Sequence, residues 1–529
     1  MQPDCNHGLV GSRIQMDFGL AAISGLLLAL SFPRYGHPAL AWVALVPLLV
    51  ALSGCYRGAG RVQGQSARRA FELGLVTGVI YFVGTIYWTA TVVGEFGGLS
   101  TPLAVCAMVL LALYLGLYPA LAAVITARTI VRAGAIGIWL SPAPWVGAEF
   151  LRGYLFGGFP WVPLGNSQVT VLPVAQSASV VGVYGLSVIV ALANAGLTVA
   201  FLACGRKRWW ALATMTCLMA MVVTWGTWRL SSEPLVLEGV PISVGLVQGN
   251  VPQELKWDPD QAETILANHV ALTREAVDRG AQFVLWPESS TPFMFEEEPV
   301  RGEEIRRLVR ESGIPLLFGS DQLESAPKPR LYNAAFALGP EGTTKAVYRK
   351  KHLVPFGEFI PMKKWLFFAS PLVDSLAEFA PGEEIVMIPI GDHQASTAIC
   401  YEVVYPSLAR DAVLAGSELL TTITNDAWYG HSSAPYQHFA MASMRAIEQG
   451  RYLVRAANTG ISGIVDPYGR VTAESVIFER TAVVGQARFL TSRTIYSAIG
   501  DAVAYGALAL SAAMVLLPAL LTRRRRERD

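Results

Sequence analysis

Of the 529 residues only 15% are charged, while 53% are hydrophobic, against about 25% charged in an ordinary soluble domain. A simple globular enzyme is excluded, and a large share of the chain must lie in lipid. The net charge of +1 conceals two opposed parts: residues 241–490 hold 52 of the 81 charged side chains, 30 acidic and 22 basic, whereas the remainder has 10 acidic and 19 basic. The charged block reads as soluble and carries no basic stripe, so nucleic acid is not an expected partner. Of six cysteines, at 5, 55, 106, 204, 217 and 400, only Cys400 lies in that block, which excludes a disulfide framework there.

In chain order, Asp4 and Asp17 precede the first apolar run, and no small-residue cleavage pattern follows it. The run is therefore expected to be a retained span rather than a signal peptide. About eight spans are predicted, at roughly 17–33, 38–54, 73–94, 101–126, 134–151, 178–203, 209–230 and 497–521, a helix of about 20 apolar residues being needed to cross a bilayer. If they alternate sides, Arg13, Arg57, Arg61, Arg68, Arg69, Arg128, Arg132, Arg206, Lys207, Arg208 and the tail arginines 523–526 and 528 share one side. Arg34, Arg152, Arg229 and Arg493 take the other. The positive-inside rule then places both termini in the cytoplasm and the charged block outside it. The predicted organisation is a membrane domain over 1–235, an extracytoplasmic domain over 241–490, a final span over 497–521 and a basic cytoplasmic tail over 522–529.

Two features of the membrane part stand out. Glu149 and Arg152, one helical turn apart near an extracytoplasmic end, are placed to pair, either as a functional charge pair or as an interfacial anchor. The stretch Gly-Tyr-Leu-Phe-Gly-Gly-Phe-Pro-Trp over 153–161 reads as an aromatic interfacial belt or as part of a site.

From 241 the pattern becomes short apolar strands alternating with amphipathic helices. Strands are predicted at 242–247, 282–286, 315–318, 332–338, 345–349, 385–390, 396–399, 419–424, 452–456, 462–465 and 482–487, and helices at 260–279, 303–311, 406–415 and 436–449. This is a layered α/β domain with a mostly buried sheet. Three of its strands run into reactive side chains: Glu288 after Trp286-Pro287, Lys350 after 345–349 and Cys400 after 396–399. Strand ends are where α/β folds display active groups, and a carboxylate, an ammonium and a thiol together supply base, electrophile and nucleophile for acyl transfer through a thioester. Taken singly, Cys400 could be a core filler, Glu288 a helix cap and Lys350 part of a solvated charge run with Arg349 and Lys351. The histidines at 269, 352, 393, 431 and 438 have no metal-ligand spacing, so no metal or soluble cofactor is expected.

The segments Leu285-Trp286-Pro287-Glu288, Tyr348 through Glu358 (YRKKHLVPFGE) and Ile399-Cys400-Tyr401-Glu402, in this order and spacing, resemble the nitrilase (carbon-nitrogen hydrolase) superfamily. With 425–430 (NDAWYG) and the embedding between apolar spans, nearly the whole chain resembles its membrane-embedded apolipoprotein N-acyltransferase family. The resemblance implies an αββα sandwich inserted before the last span. It implies Glu288 as general base, Lys350 as oxyanion-stabilising lysine and Cys400 as nucleophile, with Trp257, Asn333, Glu358, Tyr401 and Glu402 in or beside the site. Lys351 competes with Lys350; the Lys-x-His-Leu register and strand alternation favour Lys350. The implied reaction moves an acyl chain from a membrane phospholipid, of the phosphatidylethanolamine kind, to the α-amine of a diacylglyceryl-cysteine lipoprotein at the bacterial inner membrane. A membrane-tethered amidase or nitrilase using water is the alternative enzyme, and a transporter or scaffold the alternative class. Finally, Phe359, Ile360, Met362, Trp365, Leu366, Phe367 and Phe368 crowd around Lys363 and Lys364, which suggests either an interfacial arm over 359–373 that hands acyl chains to the site or a segment packed on the domain's own core.

Overall fold

The computed structural model describes residues 5–54, 64–325, 329–355, 357–359 and 378–526. Most of the expected arm, 360–373, lies outside them, as do the loop arginines 57 and 61 and the end of the basic tail. Among the described residues four helices are long and apolar enough to cross a membrane: Ala67–Ile86, Thr101–Ala133, Ala178–Leu202 and Arg206–Leu237. The apolar helical segments Ile14–Ala29, Pro38–Ser53 and Ala502–Leu517 are shorter. The span expected at 134–151 is two short helices, Ala135–Trp139 and Pro142–Arg152, because the helix halts at Leu140-Ser141 and restarts on Pro142, a residue suited to a first helical turn.

The strands are β1 Val240–Gln248, β2 Phe283–Leu285, β3 Leu316–Glu324, β4 Arg330–Leu338, β5 Thr344–Arg349, β6 Ile388–Ile390, β7 His393–Ile399, β8 Leu419–Thr424, β9 Leu453–Ala457, β10 Gly463–Val465, β11 Val471–Glu474 and β12 Thr481–Phe489. They form two six-stranded sheets, ordered β12-β1-β2-β3-β4-β5 and β11-β10-β9-β8-β7-β6. Each is parallel at its centre (β1 with β2 and β2 with β3; β7 with β8 and β8 with β9) and antiparallel toward its edges. The central strands β2, β8 and β9 are accordingly buried on both faces. β11 escaped the sequence reading, since Val-Thr-Ala-Glu is only four residues long and largely exposed.

Ile242, Val244 and Leu246 from one sheet meet Ile399, Leu419, Ile423 and Val454 from the other in the core between the sheets. Outside the first sheet lies the helix Ala262–Asp278, whose buried Ile265, Leu266, Val270, Leu272 and Ala276 follow helical spacing. Outside the second lies Ala434–Gln449, buried along almost its entire length, with one face on β9 and another on the apolar helix Ala178–Leu202. The result is an αββα sandwich with one outer helix layer packed on the apolar helices.

Glu149 and Arg152 do not pair as expected. Both are buried, and each holds the intervening loop: Arg152 Nη1 donates to the carbonyls of Phe159 (2.9 Å) and Trp161 (2.7 Å), while Glu149 Oε1 accepts from Leu164 N (2.8 Å) and Trp145 Nε1 (3.1 Å). A buried charge needs partners, and here backbone groups satisfy much of that need.

Candidate active site

Strand register assembles the polar cluster. Asp321 of β3 lies opposite Asn333 of β4, and the Lys350 backbone N–H donates to the Asn333 carbonyl at 2.8 Å, so Asp321, Asn333 and Lys350 sit side by side. Glu288 follows β2 in the same sheet. There β3 passes so close that a Cβ at Gly319 would stand 2.6 Å from Glu288 Cα, a separation only glycine allows. From the second sheet, β7 delivers Cys400 and β8 delivers Asn425.

Lys350, 1% exposed, places Nζ 2.9 Å from Glu358 Oε1 and 3.4 Å from Glu288 Oε1. Asn333 Nδ2 bridges the two carboxylates, 2.8 Å from Glu288 Oε1 and 2.9 Å from Glu358 Oε1. The other oxygens accept backbone N–H groups: Glu288 Oε2 from Asn425 (2.9 Å) and Glu358 Oε2 from Val354 (2.8 Å). Burial alone would favour protonated Glu288, but Lys350, Asn333, Lys256 and the Asn425 N–H outweigh it and hold the carboxyl below its ordinary range. Burial likewise opposes the Lys350 ammonium, and Glu358 and Glu288 more than restore it, raising its pKa.

Cys400 is buried with φ of +53°, a left-handed conformation that costs a non-glycine residue energy and is typical of functional turns. It begins the 3-10 turn Cys400–Val404. Burial and then Glu288 push its thiol up to about 12, with Lys350 opposing. The resting site is therefore a thiol beside an ionised Glu288. Glu402 anchors this turn from beneath: its fully buried carboxylate accepts from Tyr348 Oη (2.9 Å), Lys351 N (2.7 Å), His352 N (3.0 Å) and Ile399 N (2.8 Å). It thus ties the Lys350 loop to the Cys400 turn, and Lys351, the competing lysine, contributes its backbone N–H to that tie.

Tyr401 is buried under aromatic rings from the helical part, with Trp161 stacked 6.4 Å away and Phe159 at 6.3 Å. Trp161 Nε1 donates to Gln437 Oε1 at 2.7 Å, and Tyr405 Oη donates to the Gly157 and Gly158 carbonyls at 3.3 Å. The 153–161 stretch is thus a roof over the Cys400 turn. Trp257 is half exposed at 46%. Its neighbour Lys256 is instead buried in the cluster, donating from Nζ to the Glu288 carbonyl at 2.9 Å.

Sequence reasoning missed Lys256, Asp321, Asn425, Asp426, His438 and Arg455. Burial, followed by the Glu288 charge, raises the Asp321 carboxyl to about 7; burial lowers the Lys256 ammonium to about 8. Lys256 adjoins a flagged tryptophan and Asn425-Asp426 open a flagged motif. For Asp321, His438 and Arg455 the sequence carried no signal. Among the described residues no group of three or more His, Cys, Asp or Glu is placed to hold a metal.

Residues 24–196 match the apolipoprotein N-acyltransferase N-terminal domain and residues 243–491 match carbon-nitrogen hydrolase. The apolipoprotein N-acyltransferase of Geobacter metallireducens is 38% identical over 95% of this chain and 95% of its own length. The chain belongs to the apolipoprotein N-acyltransferase family. The Methylococcus capsulatus member is 34% identical, covering 92% of this chain and 93% of its own. A crystal structure of an amidase from Nesterenkonia sp. is similar at 23% identity and a TM-score of 0.37, covering 49% of this chain and 95% of that one.

Proposed function

We propose that this protein is the N-acyltransferase of lipoprotein maturation, working by a two-step transfer through a Cys400 thioester. The observation that carries the mechanism is a strained, buried thiol set beside an ionised Glu288 and a buried Lys350 ammonium, under a roof supplied by apolar helices. The donor is a membrane phospholipid, of the phosphatidylethanolamine kind. The acceptor is the α-amine of a diacylglyceryl-cysteine.

Glu288 takes the Cys400 proton as sulfur attacks the donor ester carbonyl. The carboxylate is the competent base because its partners keep it ionised, and the thiol, raised by burial, yields its proton only as the carbon–sulfur bond forms. Charge on the carbonyl oxygen is met by Lys350 and by the Tyr401 backbone N–H. The ester C–O bond breaks, Glu288 returns the proton to the departing lysophospholipid, and the thioester remains on Cys400. Glu288 then accepts a proton from the incoming amine, whose attack forms the amide and releases the thiol. Splitting the transfer makes each step easier. Glu358 and Asn333 hold Lys350 and Glu288, Glu402 holds the turn, Tyr401 joins the roof and Trp257 stands at the exposed edge beside Lys256.

In the proposed topology residues 1–235 form the membrane domain, 241–490 the extracytoplasmic catalytic domain and 497–521 a final span, with the 522–529 tail and both termini cytoplasmic, in a bacterial inner membrane. The excess of basic residues on one side supports this orientation. A membrane-impermeant thiol reagent should label probes within 241–490 but not beside Arg206 in intact cells; equal labelling overturns the topology. The decisive functional assay incubates purified protein with phospholipid and a diacylated lipopeptide. A mass gain of one acyl chain supports transfer, whereas free fatty acid with unchanged peptide makes the protein a hydrolase.

A further inference from the structure

Against the backbone carbonyl of Cys400 lies a second buried polar group that the mechanism above does not use. His438, Asp426 and Arg455 are each fully buried. His438 Nε2 is 3.1 Å from the Cys400 carbonyl oxygen. Its Nδ1 is 3.0 Å from both Arg455 Nη2 and Asp426 Oδ1. Arg455 Nη2 also donates to Asp426 Oδ2 at 2.8 Å, and Thr424 Oγ1 to Asp426 Oδ1 at 2.9 Å. The loop beyond β9 crosses Asp426 so closely that a Cβ at Gly460 would stand 2.2 Å from Oδ2.

The proton positions follow from what these atoms can do. A guanidinium only donates, so its contact with Nδ1 requires a lone pair there. A carbonyl oxygen only accepts, so the contact with Cys400 requires a proton on Nε2. The neutral ring protonated on Nε2 meets both; the Asp426 carboxylate, which also only accepts, competes with Arg455 by favouring a proton on Nδ1, and the Nε2 proton is present in either form. Burial and the Arg455 charge disfavour the imidazolium and outweigh Asp426, which favours it.

The bond matters because of where it lands. The peptide joining Cys400 to Tyr401 is planar, and in the trans form its C=O and N–H point in opposite directions. Fixing the Cys400 carbonyl therefore fixes the Tyr401 N–H, the backbone donor assigned above to the acyl oxygen. A donor to the carbonyl also polarises the same peptide, strengthening its N–H. We propose that His438 is a positioning residue for the oxyanion site: its Nε2–H holds the Cys400 carbonyl so that the Tyr401 N–H meets the reacting oxygen. This rests on the thioester reading above.

The test uses the full-length enzyme in lipid, with three readouts: acylation of Cys400 by phospholipid, alkylation of Cys400 by a small thiol reagent, and thermal unfolding. His438→Gln can donate from its amide in place of Nε2; His438→Leu cannot. We expect His438→Leu to acylate tens of times more slowly, short of the roughly 100- to 1,000-fold typical when an oxyanion donor is lost outright. Its alkylation rate should stay near wild type, since alkylation makes no oxyanion, and His438→Gln should recover most of the acylation. Wild-type acylation by His438→Leu, equal loss in a folded His438→Gln, or a parallel fall in alkylation overturns the proposal. Should the Leu variant fail to fold, nitrogen-15 NMR of the histidine-labelled wild-type enzyme decides. A proton on His438 Nε2 supports the assignment, and its absence overturns it. An acyl adduct on Cys400→Ala would instead sink the thioester reading itself.

Discussion

The two polar clusters flanking Cys400 are built on opposite principles. In front, three carboxyl groups (Glu288, Glu358, Asp321) share space with two ammonium groups (Lys350, Lys256), and Asp321 is raised to about 7 by burial and the Glu288 charge. At the back, against the Cys400 carbonyl, Asp426 pairs directly with Arg455 at 2.8 Å with His438 touching both; there burial is outweighed by Arg455 and His438, and the carboxyl is held to about 2. The front has one carboxyl group more than it has cations and can take up a proton near neutral pH. The back is a closed ion pair with no such freedom. A site that moves protons thus stands on a frame that does not titrate.

The largest expected effect is at the junction of the two. Cys400→Ala should give neither a hydroxylamine-labile acyl adduct with phospholipid nor acylated lipopeptide, both read by mass spectrometry; residual turnover would place the nucleophile elsewhere. Next in size, Lys350→Ala should slow acylation by about 100- to 1,000-fold, as for loss of an oxyanion donor. A drop of only a few fold would assign that charge to Lys256 and the backbone.

A third region sharpens the contrast, because Glu149 and Arg152 bond a loop. Arg152→Met leaves the buried Trp161 carbonyl without this donor, costing about 1 to 3 kcal/mol, and the part-buried Phe159 carbonyl at a smaller cost. The melting temperature should fall, and acylation by bilayer phospholipid should slow by about tenfold as the roof over Tyr401 loosens. Acylation by a water-soluble activated ester should fall less, and equal loss with both donors would show that the roof has no part in lipid delivery.

The smallest effect tests the titrating front. Asp321 has a folded pKa of about 7 against an ordinary 3.8, so the folded state holds its proton more tightly. The associated stability is complete below about 4 and is lost as pH rises through about 7. Asp321→Asn cannot ionise, so the difference in melting temperature, variant minus wild type, should increase from pH 5 to pH 8. A difference independent of pH would mean that Asp321 stays charged throughout.

Glu288, Lys350 and Cys400 were legible because each follows an apolar strand inside a motif, and the strand pattern was legible because buried parallel strands are continuous apolar runs. β11 was not, being short and exposed. Asp321 lies in a strand whose sequence prediction ended at Phe318, three residues short of it. The pairing of Glu149 with Arg152 followed from helical spacing, but that spacing gives proximity along one helix only. The loop that returns across the helix end supplies closer partners, and a one-dimensional pattern cannot contain it.

By itself, then, the sequence determined the partition into an apolar and a charged part, the alternation of strands and helices, and the placing of Glu288, Lys350 and Cys400 just beyond strands, since these depend on local composition and periodicity. Only the tertiary structure decided that Lys256 rather than Trp257 enters the cluster, that Glu402 braces the turn, that Gly157 to Trp161 roof it and that His438 backs the Cys400 carbonyl. Those contacts join residues as far as 276 positions apart, as between Trp161 and Gln437. A buried polar group is satisfied by whatever the packed chain brings within about 3 Å, and sequence neighbours seldom reveal what that will be.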